Sequence, residues 1–151
     1  MAVLRPEDRA KVTEMFEQTL VNPVRLALFT IPTSPLIVPG RESCETCKDT
    51  QDVLEELSAL SPMLSLDIHN LGQERELASQ LNVDRVPTIL VFGPESGGMR
   101  FMGAPAGYEF ATLIQDIQHA STGHTDLDPA TREALSAIAD PIHLQVFVTP
   151  T

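Results

Sequence analysis

The sequence predicts an α/β protein in which helices flank a mixed β-sheet. Amphipathic segments alternate with short β-prone segments in the order α-β-α-β-α-β-β-α. The helices between the early strands imply parallel crossovers, and a glycine-rich turn between the last two strands implies an antiparallel hairpin. We therefore expect a mixed sheet with helices on its faces, followed by a C-terminal extension made of a helix and a strand.

The amino-terminal part predicts a helix, a buried strand and a loop. Pro6 suits the first position of a helix whose apolar stripe reaches Leu20, and Pro23 ends that helix. The mostly apolar run from Val24 to Ile31 predicts a buried strand. The segment from Pro32 to Ser43 holds three prolines and a glycine, so it predicts an irregular loop.

The next elements follow from regular apolar spacing. Ser43 is a good N-cap residue, so we expect a helix that starts there and ends before Pro62. The elements after it are predicted as a strand at Leu64 to Ile68, a short helix at Glu74 to Leu81, a hairpin of Thr88 to Phe92 with Met99 to Met102, and a helix containing Phe110, Leu113, Ile114 and Ile117.

The C-terminal residues resemble the start of the chain. Asp128 is placed to cap a helix that begins at Pro129, and Ile142 to Val148 alternate as a strand does. Residues 141–151 match residues 23–33 at five of eleven positions, and each copy follows a helix. The sequence therefore predicts one unit over residues 1–122, and a linker helix with the first strand of an incomplete second unit over residues 123–151.

Composition excludes several classes of function. The chain of 151 residues has 21 acidic and 10 basic residues, a formal charge of −11, so nucleic acid is not an expected partner. No apolar run is long enough to cross a membrane, and the first residues turn charged without a signal-peptide core. We therefore expect a cytoplasmic protein that does not associate with membranes.

Two cysteines, Cys44 and Cys47, are the candidate catalytic residues. A Cys-x-x-Cys pair in a cytosolic chain indicates redox chemistry or half of a metal site. If Ser43 caps the helix, Cys44 lies in its first turn, where the helix dipole stabilises a thiolate. Cys47 then lies one turn deeper, close enough to form a disulfide and to release a captured partner.

Several segments together resemble a known family. The strand from Val24, the cysteine pair, Arg85 to Thr88, and Gly103 to Gly107 resemble thioredoxins and glutaredoxins. With residues 141–151, they look more specifically like the first unit of the double-unit, glutaredoxin-like protein disulfide oxidoreductases. The resemblance implies a thioredoxin-like fold, Cys44 as nucleophile and Cys47 as resolving thiol.

The resemblance also implies a substrate site and partners. It implies a cis peptide bond before Pro87, and backbone hydrogen bonds from Val86 to an extended substrate. The implied partners are protein disulfide or dithiol substrates, with a thioredoxin reductase upstream and a peroxiredoxin downstream. No cofactor is implied beyond the redox-active disulfide itself.

The chain departs from the thioredoxin pattern around its cysteines. The loop before them is long, no tryptophan precedes Cys44, and the strand Val24 to Ile31 contains no acid to receive the proton of the second thiol. The charged neighbours Glu42, Glu45 and Lys48 are the candidate modulators of the cysteine pKa. Glu45 should raise the pKa of Cys44. Glu42 is expected to be a solvated acid of the loop, with a role as proton acceptor as the alternative.

The cysteine pair has two other interpretations besides disulfide exchange. A structural zinc site needs four ligands, and the four histidines are scattered over different elements, so we expect no metal. The alternative function is a redox-inactive or regulatory thioredoxin-like module that binds proteins. The C-terminal strand would cover an edge of its own sheet or pair with a second copy in a homodimer.

Overall fold

A computed structural model of the chain describes residues 3–32, 43–94 and 98–146. Within these residues the helices and strands follow the predicted order. The elements are α1 (Pro6–Thr19), β1 (Val24–Thr30), α2 (Cys47–Ser58), β2 (Leu64–Asn70), α3 (Arg75–Gln80), β3 (Thr88–Phe92), β4 (Met99–Met102), α4 (Tyr108–Thr122) and α5 (Pro129–Ser136). None of these helices has the length and apolar character needed to cross a membrane.

The sheet is mixed, as predicted. Its four strands lie in the order β2-β1-β3-β4, with β1 parallel to β2 and antiparallel to β3. The hairpin of β3 and β4 is antiparallel. The parallel pair is connected through α2, which must therefore run back along the sheet from the carboxyl end of β1 to the start of β2.

Two apolar clusters lie on opposite faces of the sheet. The larger cluster joins α1, α2 and α4 to one face through Phe16, Leu54 and Leu113 among others. The smaller cluster joins α3 to the other face, where Phe29 and Leu90 pack with Ala78 and Val83. Successive residues of β1 point to opposite faces, and both faces are covered, so Leu26 to Phe29 are all fully buried. This burial is why β1 is nearly continuous in apolar residues.

The segments that carry the cysteines and Pro87 lie at one end of the sheet, where β1 stops and β3 begins. Phe29, near the end of β1, pairs with Thr88, the first residue of β3. Because α2 returns from the carboxyl end of β1, the beginning of α2 belongs to the same edge as the start of β3. We call this side of the molecule the redox edge.

The C-terminal extension differs from its prediction. The helix α5 begins at Pro129 as predicted, and Asp128 caps it by accepting the Thr131 N–H at 2.9 Å. Residues 141–146, however, pair with no strand in the described part of the chain. A strand forms only when a neighbouring strand satisfies its backbone groups, and the rest of the predicted strand, with the end of the repeat, lies outside the described residues.

Candidate functional site

Cys44 and Cys47 form a disulfide with a Cα–Cα distance of 5.4 Å. The two cysteines differ in burial. Cys47, the first residue of α2, is 1% exposed, whereas Cys44 is only half-buried. Of the two residues, Cys44 is therefore the more accessible.

The start of α2 differs from the prediction. The helix begins at Cys47 with Thr46 as its cap, so Ser43 is not the N-cap residue and Cys44 precedes the first turn. The reason is local: the Thr46 carbonyl accepts both the Thr50 N–H at 2.9 Å and the Thr50 hydroxyl at 2.8 Å. The first amides of a helix have no partner within it, so Cys47 occupies its electropositive end and Cys44 lies just before it.

The charged residues near the cysteines differ in their contacts. Lys48 forms an ion pair with Asp52, and this hydrogen bond is the main cause of the raised pKa of Lys48. Its ammonium is therefore engaged one turn along the helix from the disulfide. Glu45 is exposed, and Glu42 lies outside the described residues.

Val86 and Pro87 lie immediately before β3, on the redox edge. The peptide bond between them is cis. Pro87 is buried, Val86 is half-buried, and the Pro87 carbonyl accepts the Gly103 N–H at 2.9 Å. The hydroxyl of the buried Thr88 donates to the Arg85 carbonyl at 2.8 Å, so the turn is fixed from both sides.

A histidine on the redox edge was not predicted as part of the site. The His69 ring stacks on Phe29 with 5.0 Å between centroids, and its Nδ1 lies 2.7 Å from a carboxylate oxygen of Glu74. The other oxygen of Glu74 accepts the Asn70 N–H at 2.9 Å. The hydrogen bond with His69 is the main cause of the lowered pKa of Glu74. These contacts fix the connection between β2 and α3.

The described residues contain no group of three or more His, Cys, Asp or Glu side chains that could hold a metal ion. The cysteines are joined to each other in this structure. The chemistry that the arrangement supports is thiol–disulfide exchange, in which a disulfide is opened and closed by thiolate attack.

The mixed sheet, the helices on its faces and the Cys-x-x-Cys disulfide together define a thioredoxin-like fold. Among solved structures, a protein disulfide oxidoreductase from Aeropyrum pernix K1 superposes with a TM-score of 0.72 and 29% identity. The match covers 90% of this chain and 56% of that one. A thioredoxin from Halobacterium salinarum has a TM-score of 0.51 at 25% identity, over 78% of this chain and 88% of its own.

The chain is also similar to part of a larger enzyme. The F subunit of alkyl hydroperoxide reductase from Staphylococcus aureus is 27% identical over 110 residues, which cover 72% of this chain. The chain spans about 19% of the length of that relative. The F subunit of the Enterococcus faecalis enzyme shares the fold, with a TM-score of 0.72 at 17% identity over 89% of this chain and 60% of that one. No protein-family profile matches the chain.

Proposed function

We propose that this protein is a thiol–disulfide oxidoreductase that exchanges disulfides with protein substrates through Cys44 and Cys47. The observation that carries the proposal is the unequal exposure of the two cysteine residues. Cys44 is half-buried, whereas Cys47 is 1% exposed. This asymmetry supports a role for Cys44 in attack on a substrate and a role for Cys47 in its release.

In the reductive direction, the reduced chain uses two successive displacements. The Cys44 thiolate attacks one sulfur of a substrate disulfide, which forms a mixed disulfide, and the other substrate sulfur leaves as a thiolate that takes a proton from water. Cys47 then loses its proton and attacks the Cys44 sulfur. The second substrate thiol is released, and the substrate has gained two electrons and two protons. The chain becomes the Cys44–Cys47 disulfide, which a dithiol donor must reduce before the next cycle.

The local structure favours these roles. Cys44 lies before the positive end of α2, where the helix dipole and unpaired amides stabilise a thiolate. Val86 lies on the same edge of the sheet and is only half-buried, which supports its role in binding an extended substrate. Pro87 would complete this surface without competing for hydrogen bonds, because it has no N–H group.

Single-cysteine variants test the proposal. With dithiothreitol as electron donor, the wild-type chain should reduce insulin disulfides, and both Cys44→Ser and Cys47→Ser should lose turnover. Only Cys47→Ser should accumulate a mixed disulfide with the substrate, because only it retains the attacking thiol without the resolving one. A wild-type chain without cysteine-dependent turnover would instead favour a regulatory binding module. Mixed disulfides formed equally by both variants would contradict the assigned roles.

The partners follow from the relatives and remain part of the proposal. We infer a dithiol donor such as a flavin-dependent thioredoxin reductase, and a peroxiredoxin as a recipient of electrons, in the cytoplasm. The similarity to part of an alkyl hydroperoxide reductase supports this assignment, and the exchange itself needs no cofactor beyond the disulfide. Reconstitution with NADPH, the reductase, a peroxiredoxin and peroxide should show NADPH oxidation that depends on Cys44.

The C-terminal extension points to a second copy of the chain. Leu144 and Val146 are both 84% exposed, although the repeat aligns them with Leu26 and Leu28, which are completely buried. The helix α5 has no buried residue. We therefore propose that residues 123–151 belong to a second unit, and that its strand pairs with another copy in a homodimer.

Mass in solution tests this assembly. Sedimentation should give a dimer for the wild-type chain and a monomer for Leu144→Asp. Val21→Asp is the matched control, because Val21 is 68% exposed on the folded unit itself and should leave the dimer intact. A monomeric wild-type chain, or a dimer that Leu144→Asp does not weaken, would contradict the proposal.

A further inference from the structure

A cavity of about 570 Å³ opens on the redox edge, on the side of the sheet that carries α3. Ile31 and Leu71 form part of its wall, and the Leu71 N–H donates to the carbonyl of Thr30 at the end of β1 at 2.9 Å. Asp84 also lines the cavity and lies three residues before Pro87 in the chain. The cavity is therefore built from α3 and the connections on either side of it, rather than from the helices of the larger apolar cluster.

Among the described residues that line this cavity two are charged, Arg75 and Asp84, in a chain whose formal charge is −11. Arg75 lines the cavity, is exposed, and forms no ion pair or hydrogen bond within the described part of the chain. Asp84 is already bound by Arg85, whose Nε and terminal nitrogen lie 2.8 and 3.0 Å from its two oxygens. That hydrogen bond is the main cause of the lowered pKa of Asp84, and the charge of Arg100 also lowers it.

These three arginines form what we call the basic cluster: Arg75, Arg85 and Arg100. Arg100 is fixed by donating to the Leu81 carbonyl at 2.6 Å, at the end of α3. Asp84 is already paired with Arg85, whereas Arg75 has no ion-pair partner among the described residues, although Glu76 follows it on α3. An incoming carboxylate can pair with Arg75 without displacing any existing partner.

We propose that the cavity and the basic cluster select redox partners whose reacting disulfide lies in an extended segment with an acidic residue. The inference rests on the proposed disulfide exchange and names the partner class for the same site. The apolar wall, which includes Ile31, Leu71 and Val83, takes an aliphatic side chain of that segment. Arg75 pairs with the neighbouring carboxylate and is the specificity-determining residue, acting on binding rather than on the sulfur chemistry.

Peptide disulfides of matched sequence test this selection. Two cystine-linked probes are compared, one with glutamates flanking each cysteine and one with glutamines in their place. The reduced wild-type chain should reduce the acidic probe about two- to fivefold faster in kcat/KM, the size expected of one exposed ion pair. The preference should decline with added salt because exposed charges are screened.

Arg75→Gln should abolish the preference, so that the variant reduces the acidic probe and the glutamine probe with equal kcat/KM. Arg132→Gln is the matched control, since Arg132 lies on the exposed helix α5, outside the site. It should retain the preference. Equal rates of the wild-type chain on both probes, or a preference that survives Arg75→Gln, would overturn the inference while leaving disulfide exchange intact.

A second measurement separates this inference from the proposed function. An acidic peptide with serine in place of cysteine is added to the ¹⁵N-labelled chain, and the amide shifts of Gly72, Ser79 and Asn82 around the cavity are followed. If the peptide causes shifts and Arg75→Gln abolishes them, docking at the cavity is supported. This holds even if neither probe is reduced, and in that case only the proposed disulfide exchange fails. An absence of shifts overturns the docking site.

Discussion

Ser121 and Asn22 join the end of α4 to the connection between α1 and β1. The Ser121 hydroxyl accepts the Asn22 N–H at 3.0 Å and donates to the Asn22 carbonyl at 2.7 Å. The same oxygen accepts the Val21 N–H at 2.9 Å, and Ser121 is completely buried. One hydroxyl therefore satisfies three backbone groups of a segment about a hundred residues away in the chain.

Ser121→Ala should destabilise the fold, because these backbone groups lose their partner in a place with little access to water. We expect the free energy of unfolding to fall by about 1–3 kcal/mol, measured by urea denaturation. Ser136→Ala is the control, since Ser136 is exposed on α5, and its loss should be close to zero. Equal stabilities of the two variants would show that Ser121 does not tie these segments together.

Gly93 marks a close approach of the end of β3 to α4. A Cβ atom added at this position would lie 1.9 Å from the carbonyl oxygen of Ala120, a contact that backbone atoms cannot accommodate without moving. Gly93→Ala should therefore lower the free energy of unfolding by about 1–3 kcal/mol, as overpacking does. Gly72→Ala provides the comparison in thermal unfolding, because its Cβ would meet only the Asn70 side chain at 3.4 Å. A Gly93→Ala chain as stable as Gly72→Ala would disprove the close approach.

Glu56, on α2, connects the amino-terminal segment to that helix through hydrogen bonds. One carboxylate oxygen accepts the N–H groups of Val3 at 2.6 Å and Leu4 at 3.1 Å, and the other accepts a hydrogen bond from Arg9 at 2.7 Å. The hydrogen bond from the Leu4 amide is the largest cause of the lowered pKa of Glu56, followed by the hydrogen bond from the Val3 amide. The positive charge of Arg9 lowers this pKa further.

A carboxyl group with a lowered folded-state pKa stabilises the fold above its unfolded pKa, and that contribution disappears as the pH falls through the folded pKa. Glu56→Gln should therefore be less stable than wild type at neutral pH. The difference should shrink as the pH falls below about 4. Chemical denaturation across pH measures this, with the exposed Glu17→Gln as the control. A deficit that stayed constant down to acid pH would argue against the ionised carboxylate as its source.

Glu45 is an exposed negative charge next to Cys44. It opposes the helix dipole, so Glu45→Gln should lower the pKa of the Cys44 thiol in the reduced chain. The thiolate absorbance followed against pH reports this value. Glu17→Gln, on α1, should leave the titration unchanged. A Cys44 pKa that rises in Glu45→Gln would contradict the electrostatic argument.

The strands were predictable from sequence because their burial leaves a simple pattern. Val24 to Thr30 is covered on both faces and is therefore apolar almost throughout, and Gly93 and Gly98 bracket the hairpin turn. The start of α2 was not predictable in the same way. Ser43 has the right chemistry for a cap, but the Thr46 carbonyl takes the first helical hydrogen bonds from Thr50. Local bonding of this kind overrides the preference of one residue.

The basic cluster could not be read from sequence, because its members are far apart along the chain. Arg75 begins α3, Arg85 precedes β3 and Arg100 lies in β4, and only the antiparallel hairpin brings the last close to Asp84. The exposed state of Leu144 and Val146 was also unpredictable, since their alternation indicates burial whether or not a partner is present. An alternating apolar pattern indicates which residues must be buried, but it does not identify the part of the protein or the partner that buries them.

The two apolar clusters, on opposite faces of the sheet, differ in how many helices they hold. Phe16 and its neighbours hold three helices on one face, whereas Arg75 and the cavity belong to the thinly covered face that carries α3 alone. Substitutions of exposed α3 residues such as Arg75 should therefore change the proposed recognition at little cost in stability. In the course of evolution, such a protein can acquire new binding partners while the larger apolar cluster stays unchanged.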